Sequence, residues 1–270
     1  MHPILFHVGS LVIGTHDTFV LLGVITAALV FRAESVRRGA LSEQMVWIVA
    51  GALIAGAIGA RLSTVGLYAA NAPDPSAWGL IVHGGRSILG GLAAAYVGVL
   101  LTKRLVGYRS HTGDLFAPAV AAGMAVGRWG CFFTEQLGTP TTLPWGIRLA
   151  PAQAARIPLC GAYCYTSAMH PSFLYEIAFH TLSFAALWGW LRFKPGLRDQ
   201  LFKLYLLAYA VFRFAVEFVR GNQVVWHGLS RSQLFLIPAT ILLIVGLARR
   251  RRDTIDMIRM AAVGPVGERA

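Results

Sequence analysis

Long apolar stretches recur along the chain and are separated by short polar loops. Because a helix needs about 20 mainly apolar residues to cross a bilayer, the pattern predicts transmembrane helices. Polar residues interrupt several of the stretches, which is typical of helices that line a site and not of simple anchors. Seven spans are predicted, at residues 11–31, 45–68, 84–101, 115–133, 171–191, 201–219 and 233–248.

The predicted fold is therefore an all-α polytopic membrane protein, with residues 1–270 forming a single membrane-embedded domain. Composition agrees, because 56% of the residues are hydrophobic and only 13% are charged, whereas soluble domains average about 25% charged residues. The 29 glycines suit helices that pack closely in lipid. The first apolar stretch lacks a positive n-region and a small-residue cleavage site, so it is predicted to be a span and not a removable signal peptide.

The net charge of +12 is distributed in a way that predicts the orientation of the chain. Most Lys and Arg residues lie in alternate loops, at residues 32–38, 103–109, 192–203 and 249–269. The positive-inside rule then predicts an N-terminus outside and a cytoplasmic C-terminus, with residues 134–170 forming a cap on the outer, periplasmic face. Basic loops of this kind attract anionic membrane lipids, and their placement argues against a nucleic-acid partner.

Charges inside apolar stretches are costly and usually functional in membrane proteins. Arg128 is the strongest case, because it interrupts an apolar run and lies between Gly127 and Gly130, where a backbone or a ligand can approach closely. Arg61 and Arg86 lie near the outer ends of their predicted spans, so each either reaches toward the headgroups or contributes to a site. The sequence therefore predicts a membrane-embedded pocket around Arg128.

A second charged group lies on the sixth predicted span. Arg213, Glu217 and Arg220 are separated by four and three residues, so they share one face of a helix. The simplest interpretation is an ion pair between Arg213 and Glu217, which leaves Arg220 free to meet an anion. Because a guanidinium can bind phosphate through two parallel hydrogen bonds, Arg220 and Arg128 together predict a site for a phospholipid headgroup.

Histidine and cysteine residues offer further candidate chemistry. His16 precedes Asp17 and is predicted either to act as a base or to belong to a self-satisfied polar cluster. Cys131 is either a nucleophile activated by nearby positive charge or a buried, inert thiol. Cys160 and Cys164 lie in the predicted cap and either form a disulfide or remain free thiols. The sequence has no zinc-type spacing of Cys and His, so no metal site is predicted.

The segment HPSFLYE at residues 170–176 opens the fifth predicted span. Proline is favoured at the start of a helix, so His170, Pro171 and Ser172 are predicted to form a helix entry, with capping as the simplest role. Glu176 then lies in the first turns, where the helix dipole favours a carboxylate. From there it can pair with an arginine.

Together these motifs resemble those of the bacterial prolipoprotein diacylglyceryl transferase family. The segment GRWGCF at 127–132 resembles the family's GRxGNF core, and HPSFLYE is similar to its HPSQLYE motif. The segment FRFAVEFVR at 212–220 resembles its FRxxVEFxR helix. Two further segments, PWG at 144–146 and GLSRSQL at 228–234, look like the family's PWG and MGQxLS segments. The resemblance covers nearly the whole chain, in the same order.

The resemblance implies a transferase of the bacterial cytoplasmic (inner) membrane. Such enzymes move the diacylglyceryl group of phosphatidylglycerol to a lipobox cysteine in the signal-peptide region of a prolipoprotein, and no metal or cofactor is implied. Arg128 and Arg220 would stabilise the departing phosphate. The base would be His16, His83 or Glu135, unless the bound acceptor thiol activates itself. The residues implied in substrate binding are Arg86, Gly127, Arg128, Gly130, His170, Tyr175, Glu176, Arg213, Glu217 and Arg220.

The chain also departs from the family's motifs. Leu89 stands where the third-span motif GGMSFHGG has a histidine, and Thr18 stands where the HWY motif has a tyrosine. Cys131 replaces the asparagine of GNF, and the carboxylate of the NGE segment matches either Glu135 or Gln136. The alternative interpretation is therefore a non-classical homologue that binds phospholipid or modifies a different acceptor. A solute transporter is disfavoured, because the charged residues cluster toward the outer half of the spans.

Overall fold

The structure is a computed structural model that describes residues 4–9, 11–68, 87–155 and 163–263, most of which are helical. The long helices are α1 (Thr15–Arg37), α2 (Glu43–Tyr68), α3 (Ile88–Leu105), α4 (Gly113–Thr134), α7 (Ser172–Gly189), α8 (Leu201–Arg220) and α9 (Arg231–Val263). The short helices α5 (Pro151–Ala154) and α6 (Tyr163–Thr166) lie between α4 and α7, and 3₁₀ turns at Leu191–Phe193 and Pro195–Leu197 precede α8.

The described residues are mostly helical, as predicted, and they also contain two small antiparallel hairpins that the sequence did not predict. Strand β1 (Ile4–Val8) pairs with β2 (Leu11–Gly14), and β3 (Val224–Trp226) pairs with β4 (Leu229–Ser230). The first four residues of the predicted first span therefore form a strand, and α1 begins only at Thr15. So short an apolar segment has no helical periodicity of its own, and here its backbone pairs with a neighbouring strand.

Among the described residues, five helices are long and apolar enough to cross a membrane. They are α1, α2 as far as Val65, α3, α4, and α9 as far as Arg249, and each overlaps a predicted span. Helices α7 and α8 overlap the other two predicted spans but are not among these five. Their polar side chains include Glu176 and Arg213, both of which are buried inside the protein.

The chain forms two compact units, one of residues 1–33 and 112–270 and the other of residues 34–111. The second unit contains the end of α1 together with α2 and α3. Arg61, one of the arginines within a predicted span, lies on α2 and is half-buried. All of the predicted site residues that the structure describes belong to the first unit.

Small residues bring α2 and α3 close together within the second unit. A side chain added at Gly98 would place its Cβ 2.5 Å from the Gly51 carbonyl oxygen and 2.6 Å from the Ala55 Cβ. Ser87 caps α3, because its hydroxyl accepts a hydrogen bond from the Gly90 amide (3.2 Å). This is the close packing that the glycine content predicted for helices in lipid.

Replacing Gly98 with alanine is expected to destabilise the second unit by about 1–3 kcal/mol, because the added methyl group overpacks against the backbone of α2. A matched control is Gly246→Ala on α9, where the nearest atom to the added Cβ is Lys203 Nζ at 3.8 Å. In that open environment alanine gains up to about 1 kcal/mol of helix propensity. Thermal unfolding in detergent measures both variants, and an unchanged midpoint for Gly98→Ala would contradict the close packing.

Helix α4 is the central helix of the first unit and packs against α7 and α8. The Asp114 carboxylate fixes its start by accepting hydrogen bonds from the backbone amides of Asp199 (2.7 Å) and Leu201 (3.1 Å). Ala117, Leu201 and Tyr205 continue the contact as part of a buried apolar cluster. These interactions hold the charged face of α8 against α4.

Glycines also bring α1 close to α4 in the first unit. A Cβ added at Gly123 would lie 2.8 Å from the Gly23 carbonyl oxygen, and one added at Gly130 would lie 3.0 Å from the His16 carbonyl oxygen. The close approach predicted beside Arg128 therefore occurs at Gly130, and the approaching group is the backbone of α1. As a result, His16 lies on the helix that faces Arg128.

The predicted cap, residues 134–170, is a structured segment in its described part. Leu137 and Met169 are fully buried and belong to one apolar cluster. The Gly138 amide donates a hydrogen bond to the His170 carbonyl oxygen (2.8 Å), which joins the two ends of the segment. Its start is thereby fixed beside the beginning of α7.

Candidate functional site

Two arginines from different helices share one carboxylate in the first unit. Arg128 on α4 pairs through Nη2 with Oε2 of Glu176 on α7, and Arg220 at the end of α8 donates from Nη1 to Glu176 Oε1 (2.5 Å). The Arg220 guanidinium also lies over the Phe173 ring, 4.4 Å from its centre, in a cation–π contact. The predicted pairing of Glu176 with an arginine is confirmed, but Arg220 is itself paired and not free as the sequence predicted.

Aromatic and imidazole groups surround the Arg128 end of this network. Arg128 Nη2 donates to the Tyr209 hydroxyl (3.2 Å), and the Tyr209 ring lies 4.7 Å from the ring of His180. His180 Nδ1 on α7 lies 2.9 Å from the Tyr205 hydroxyl on α8, which is a separate hydrogen bond next to that of Tyr209. Arg128 is only 4% exposed. Its Nε is buried without a hydrogen-bond partner among the described residues, which leaves one donor unused.

Glu135 and His16 extend the network from Arg220 toward α1. Arg220 Nη2 lies 3.6 Å from Glu135 Oε2, and Glu135 Oε1 lies 3.8 Å from His16 Nε2. The other ring nitrogen of His16, Nδ1, lies 3.6 Å from Asp17 Oδ1. Cys131 Sγ is 3.8 Å from His16 Nε2, so the thiol, the imidazole and the carboxylate form one cluster beside the arginines.

The predicted ion pair between Arg213 and Glu217 is present, in a buried network of its own. Glu217 Oε1 also accepts hydrogen bonds from Asn222 Nδ2 (2.8 Å) and the Ser230 hydroxyl (2.5 Å). The Ser230 amide in turn donates to Gln233 Oε1 (2.9 Å). This network ties the end of α8 to the β3–β4 hairpin and the start of α9, so it supports the helix that carries Arg220.

Replacing Ser230 with alanine is expected to lower the free energy of unfolding by about 1–3 kcal/mol, because a buried carboxylate loses one of its hydrogen bonds. Thermal unfolding in detergent measures the effect. Ser232→Ala, two residues along the same helix start, is the control and is expected to change stability by less than about 0.5 kcal/mol. Equal unfolding midpoints for Ser230→Ala and Ser232→Ala would contradict a stabilising role of the Glu217 network.

His170 and Tyr175 form a second cluster, at the start of α7. The Tyr175 hydroxyl lies 3.1 Å from His170 Nδ1 and accepts a hydrogen bond from Trp145 Nε1 (2.8 Å). The predicted helix entry is confirmed, since α7 begins at Ser172 directly after Pro171. The buried Ser172 hydroxyl makes no capping hydrogen bond to any described residue, however, so the backbone enters the helix without that cap.

Some predicted residues cannot be related to this site. His83 and Arg86 lie outside the described residues, and so does Cys160, on which the predicted disulfide with Cys164 depends. Gly127 faces α1, since a Cβ added there would lie 3.9 Å from a backbone carbonyl oxygen of that helix. The site described above therefore consists of residues from α1, α4, α7 and α8 with the first residue after α4.

Three side chains near Arg128, those of Tyr205, Tyr209 and His180, are not among the predicted site residues, although the sequence contains a signal for them. Tyr205 and Tyr209 precede Arg213 by eight and four residues. His180 follows Glu176 by four residues. Residues at this spacing share a helical face, so extending the charged face of each helix by two turns would have identified all three aromatic side chains.

Comparison with known proteins places this site in a family. A sequence model of the prolipoprotein diacylglyceryl transferase family matches residues 3–249, which include every residue of the site. Phosphatidylglycerol–prolipoprotein diacylglyceryl transferases of Synechococcus elongatus and Gloeobacter violaceus are 32% and 34% identical to this chain, covering 97% and 91% of it and 93% and 91% of their own lengths. A third such protein, from Streptomyces coelicolor, is 30% identical over 98% of this chain and 76% of its own length. The chain therefore belongs to the prolipoprotein diacylglyceryl transferase family.

Proposed function

We propose that this protein transfers the diacylglyceryl group of phosphatidylglycerol to the thiol of a lipobox cysteine in a prolipoprotein. The names of its relatives give the donor and the acceptor protein. The observation that carries the proposal is the Arg128–Glu176–Arg220 network, in which two guanidinium groups from α4 and α8 converge on one carboxylate of α7. Convergent guanidinium forks are well suited to binding a phosphate group.

The charge of this network favours an anionic headgroup. Arg128 and Arg220 share the Glu176 carboxylate, so these three side chains keep a net positive charge, which Glu135 offsets only in part because it lies 3.6 Å from Arg220 and is 43% exposed. The unused Arg128 Nε–H is a further donor for a phosphate oxygen. Because the group is buried, its electrostatic interactions are stronger than they would be in water.

The proposed reaction is a substitution at a glyceryl carbon. The acceptor thiolate forms a C–S bond, the C–O bond to the phosphate breaks, and glycerol phosphate leaves with the electron pair. Negative charge grows on the departing phosphate during this step. Arg128 and Arg220 are fixed in advance by Glu176, and such preorganised groups stabilise developing charge without having to reorient.

Removal of the acceptor proton is assigned to the cluster beside the arginines. His16 lies 3.8 Å from Glu135 and 3.6 Å from Asp17, which supports it as the proton acceptor. Leu89, where the family's motif has a histidine, lies in the first turn of α3. The non-classical homologue considered as an alternative is not favoured, since relatives across nearly the whole chain carry the transferase name.

We further propose that α7 and α8 cross the membrane with the five apolar helices, giving seven spans in one functional domain. The basic loops support an outer N-terminus, a cytoplasmic C-terminus and a periplasmic position for residues 134–170. The protein would then lie in the inner membrane. The signal-peptide region of the prolipoprotein would meet the site from the outer leaflet, past His170 and Tyr175.

Rescue of a bacterial strain depleted of its own diacylglyceryl transferase tests the function in cells. Expression of the chain is expected to restore growth and lipoprotein modification. A matched control, Arg231→Ala at the exposed start of α9, is expected to rescue equally well. Failure to rescue, when the chain is present in the membrane fraction at the level of a rescuing relative, would contradict the proposed function.

A further inference from the structure

All three side chains of strand β3 are apolar and exposed. Val224, Val225 and Trp226 make up the strand and are 59%, 40% and 58% exposed. A strand of an antiparallel sheet commonly has one face packed on the core of the protein, but no residue of β3 is buried. The strand is therefore open to a ligand in the part of the chain that the structure describes.

The backbone of β3 also has a free edge. The strand pairs with β4 on one side, in a sheet of two strands. No backbone hydrogen bond joins Val224, Val225 or Trp226 to any other described part of the chain. Such an edge offers unpaired amide and carbonyl groups to a further strand. Proteins that bind peptides in this way obtain affinity from main-chain hydrogen bonds and specificity from alternate side chains.

The hairpin that carries this edge has a defined conformation. His227 and Gly228 form its two-residue turn with φ angles of +41° and +81°, and a type I′ turn requires positive φ at both positions. The Trp226 ring meets the His227 ring edge to face, with the ring centres 4.5 Å apart, which is a favourable arrangement for aromatic pairs. A strand that is already ordered binds a peptide at a lower entropic cost.

The start of β3 lies close to the end of α8 that carries Arg220. Val224 is paired with Ser230 across the hairpin, and residues paired in this way have Cα atoms about 4.5–5.5 Å apart. The Ser230 hydroxyl donates to Glu217 Oε1 (2.5 Å). Glu217 precedes Arg220 by three residues, which is less than one turn of the helix. A peptide that pairs with β3 would therefore lie beside the arginine network.

The hairpin is at the same end of the first unit as His170 and Tyr175. Thr139 joins the two places, because its amide donates to the Val219 carbonyl oxygen (2.8 Å) and its own carbonyl oxygen accepts from the His170 amide (2.9 Å). Val219 is the residue before Arg220 in the last turn of α8. The hairpin therefore lies on the side from which the signal-peptide region is proposed to meet the site.

The composition of the hairpin fits an apolar peptide better than a lipid headgroup. Residues 221–230 include no Lys, Arg, Asp or Glu, although the whole chain has a net charge of +12. An anionic headgroup would find no charged partner there. A signal peptide, in contrast, has an apolar segment that is followed by small residues near its cleavage site. Lipid tails alone are a poor partner for a free strand edge, because backbone groups in hydrocarbon need hydrogen bonds.

We propose that the segment directly before the acceptor cysteine of a prolipoprotein binds along the free edge of β3 as an added strand; this inference rests on the proposed function. The apolar side chains of the segment pack on Trp226 and the two valines. Each extended residue spans about 3.3 Å, so the pairing sets how far the cysteine reaches toward the Arg128–Glu176–Arg220 network. Because main-chain pairing does not depend on particular side chains, one site accepts prolipoproteins of different sequence.

Main-chain pairing is tested with modified peptides and the natural full chain in lipid nanodiscs. A lipobox peptide with serine in place of the cysteine cannot form the thioether, so fluorescence anisotropy of its labelled form measures affinity alone. One backbone amide at a time is methylated in the residues before the serine. Binding is expected to weaken about five- to tenfold at alternate residues and little at those between them, because alternate amides of a strand point to the same edge.

The methylated peptides leave the protein unchanged, so this result does not depend on how well a variant folds. The peptide methylated at the intervening residues is the matched control for the added bulk. Loss of affinity without the alternation, or no loss at any residue, would overturn the added strand.

Replacing Trp226 with alanine tests the side-chain contact. KM for the cysteine peptide is expected to rise about tenfold while kcat stays within about twofold, as for a residue that contributes only to binding. The control is Trp190→Ala, a tryptophan of similar exposure (60%) directly after the far end of α7, which is expected to leave KM unchanged. An unchanged KM in Trp226→Ala would indicate that the hairpin contacts lipid instead, and would overturn the proposal.

Binding and transfer together separate this proposal from the proposed function. Alternating loss of affinity for the serine peptide, without any diacylglyceryl transfer to the cysteine peptide, would support the added strand and overturn the proposed function. Transfer whose KM is unaffected by amide methylation and by Trp226→Ala would support the proposed function and overturn the added strand.

Discussion

Replacement of Arg128 by lysine is expected to lower kcat/KM for diacylglyceryl transfer by about 100- to 1,000-fold, the usual cost of losing a preorganised group that stabilises developing charge. The substitution keeps the positive charge but removes the planar fork. A lysine can pair with Glu176 or with the phosphate but cannot hold both and also donate to Tyr209, as the Arg128 guanidinium does through Nη2. The loss is therefore expected mainly in kcat, where the departing phosphate is stabilised.

The control for this variant is Arg231→Lys, an equivalent change at an exposed arginine that belongs to neither network. Transfer is followed by mass spectrometry of a lipobox peptide at several phosphatidylglycerol concentrations, so that kcat and KM are separated. Activity of Arg128→Lys within about threefold of the natural protein would contradict the assignment of Arg128 to the reacting phosphate, since a threefold change is worth less than 1 kcal/mol.

Replacement of Glu176 by glutamine is expected to have the largest effect on stability. The carboxylate is fully buried and holds Arg128 and Arg220 together, so the variant leaves Arg128 without a close anion and Arg220 with only the longer contact to Glu135, at 3.6 Å. Breaking a buried pair in this way costs about 3–5 kcal/mol. The midpoint of thermal unfolding in detergent is expected to fall accordingly, whereas Glu43→Gln at the exposed start of α2 is expected to leave it nearly unchanged.

The effect of added phosphatidylglycerol on the unfolding midpoint distinguishes a purely structural role of Glu176 from a role in the headgroup site. In Glu176→Gln the lipid phosphate is the missing anion, so added phosphatidylglycerol is expected to raise the unfolding midpoint more than it does in the natural protein. Ligand that binds only the folded state stabilises it by mass action. If phosphatidylglycerol raised the unfolding midpoint equally in both proteins, and phosphatidylcholine did so too, the lipid phosphate would not bind beside residue 176.

Helical spacing explains what could be predicted about the site. Arg213 and Glu217 are four residues apart on one helix, so their ion pair follows from the sequence alone. The partner of Arg220 could not be derived in this way, because Glu176 comes from another helix and is 44 residues distant in the chain. Such a contact depends on how α7 packs against α8, which no local pattern encodes.

The end of α4 is a second place where the sequence alone does not determine which side chain reaches the site. The helix ends at Thr134, and Glu135 is already extended. The sequence left Glu135 and Gln136 as alternatives, because the side chain that turns back toward Arg220 depends on the residue at which the helix stops. Neighbouring side chains in extended backbone point in opposite directions. If α4 ended one residue later, Gln136 and not Glu135 would be the residue expected to face Arg220.

The apolar pattern predicts a helix from residue 11, whereas α1 begins four residues later, at Thr15. Residues 11–14 are apolar and so look like the first turn of the span. Their backbone instead pairs with residues 4–8 in a hairpin. A run of four apolar residues does not by itself distinguish a short strand from the first turn of a helix. Gly9, with a φ of +61°, allows the tight reversal that makes the pairing possible.

The decisive experiment is diacylglyceryl transfer by the purified protein. The natural chain is incubated with phosphatidylglycerol and a lipobox peptide, alongside a peptide with serine in place of the cysteine and a reaction with phosphatidylcholine as donor. Only the cysteine peptide is expected to gain the mass of one diacylglyceryl group, and only from phosphatidylglycerol, with glycerol phosphate released in equal amount. Absence of this mass gain, while a related transferase modifies the same peptide, would contradict the account.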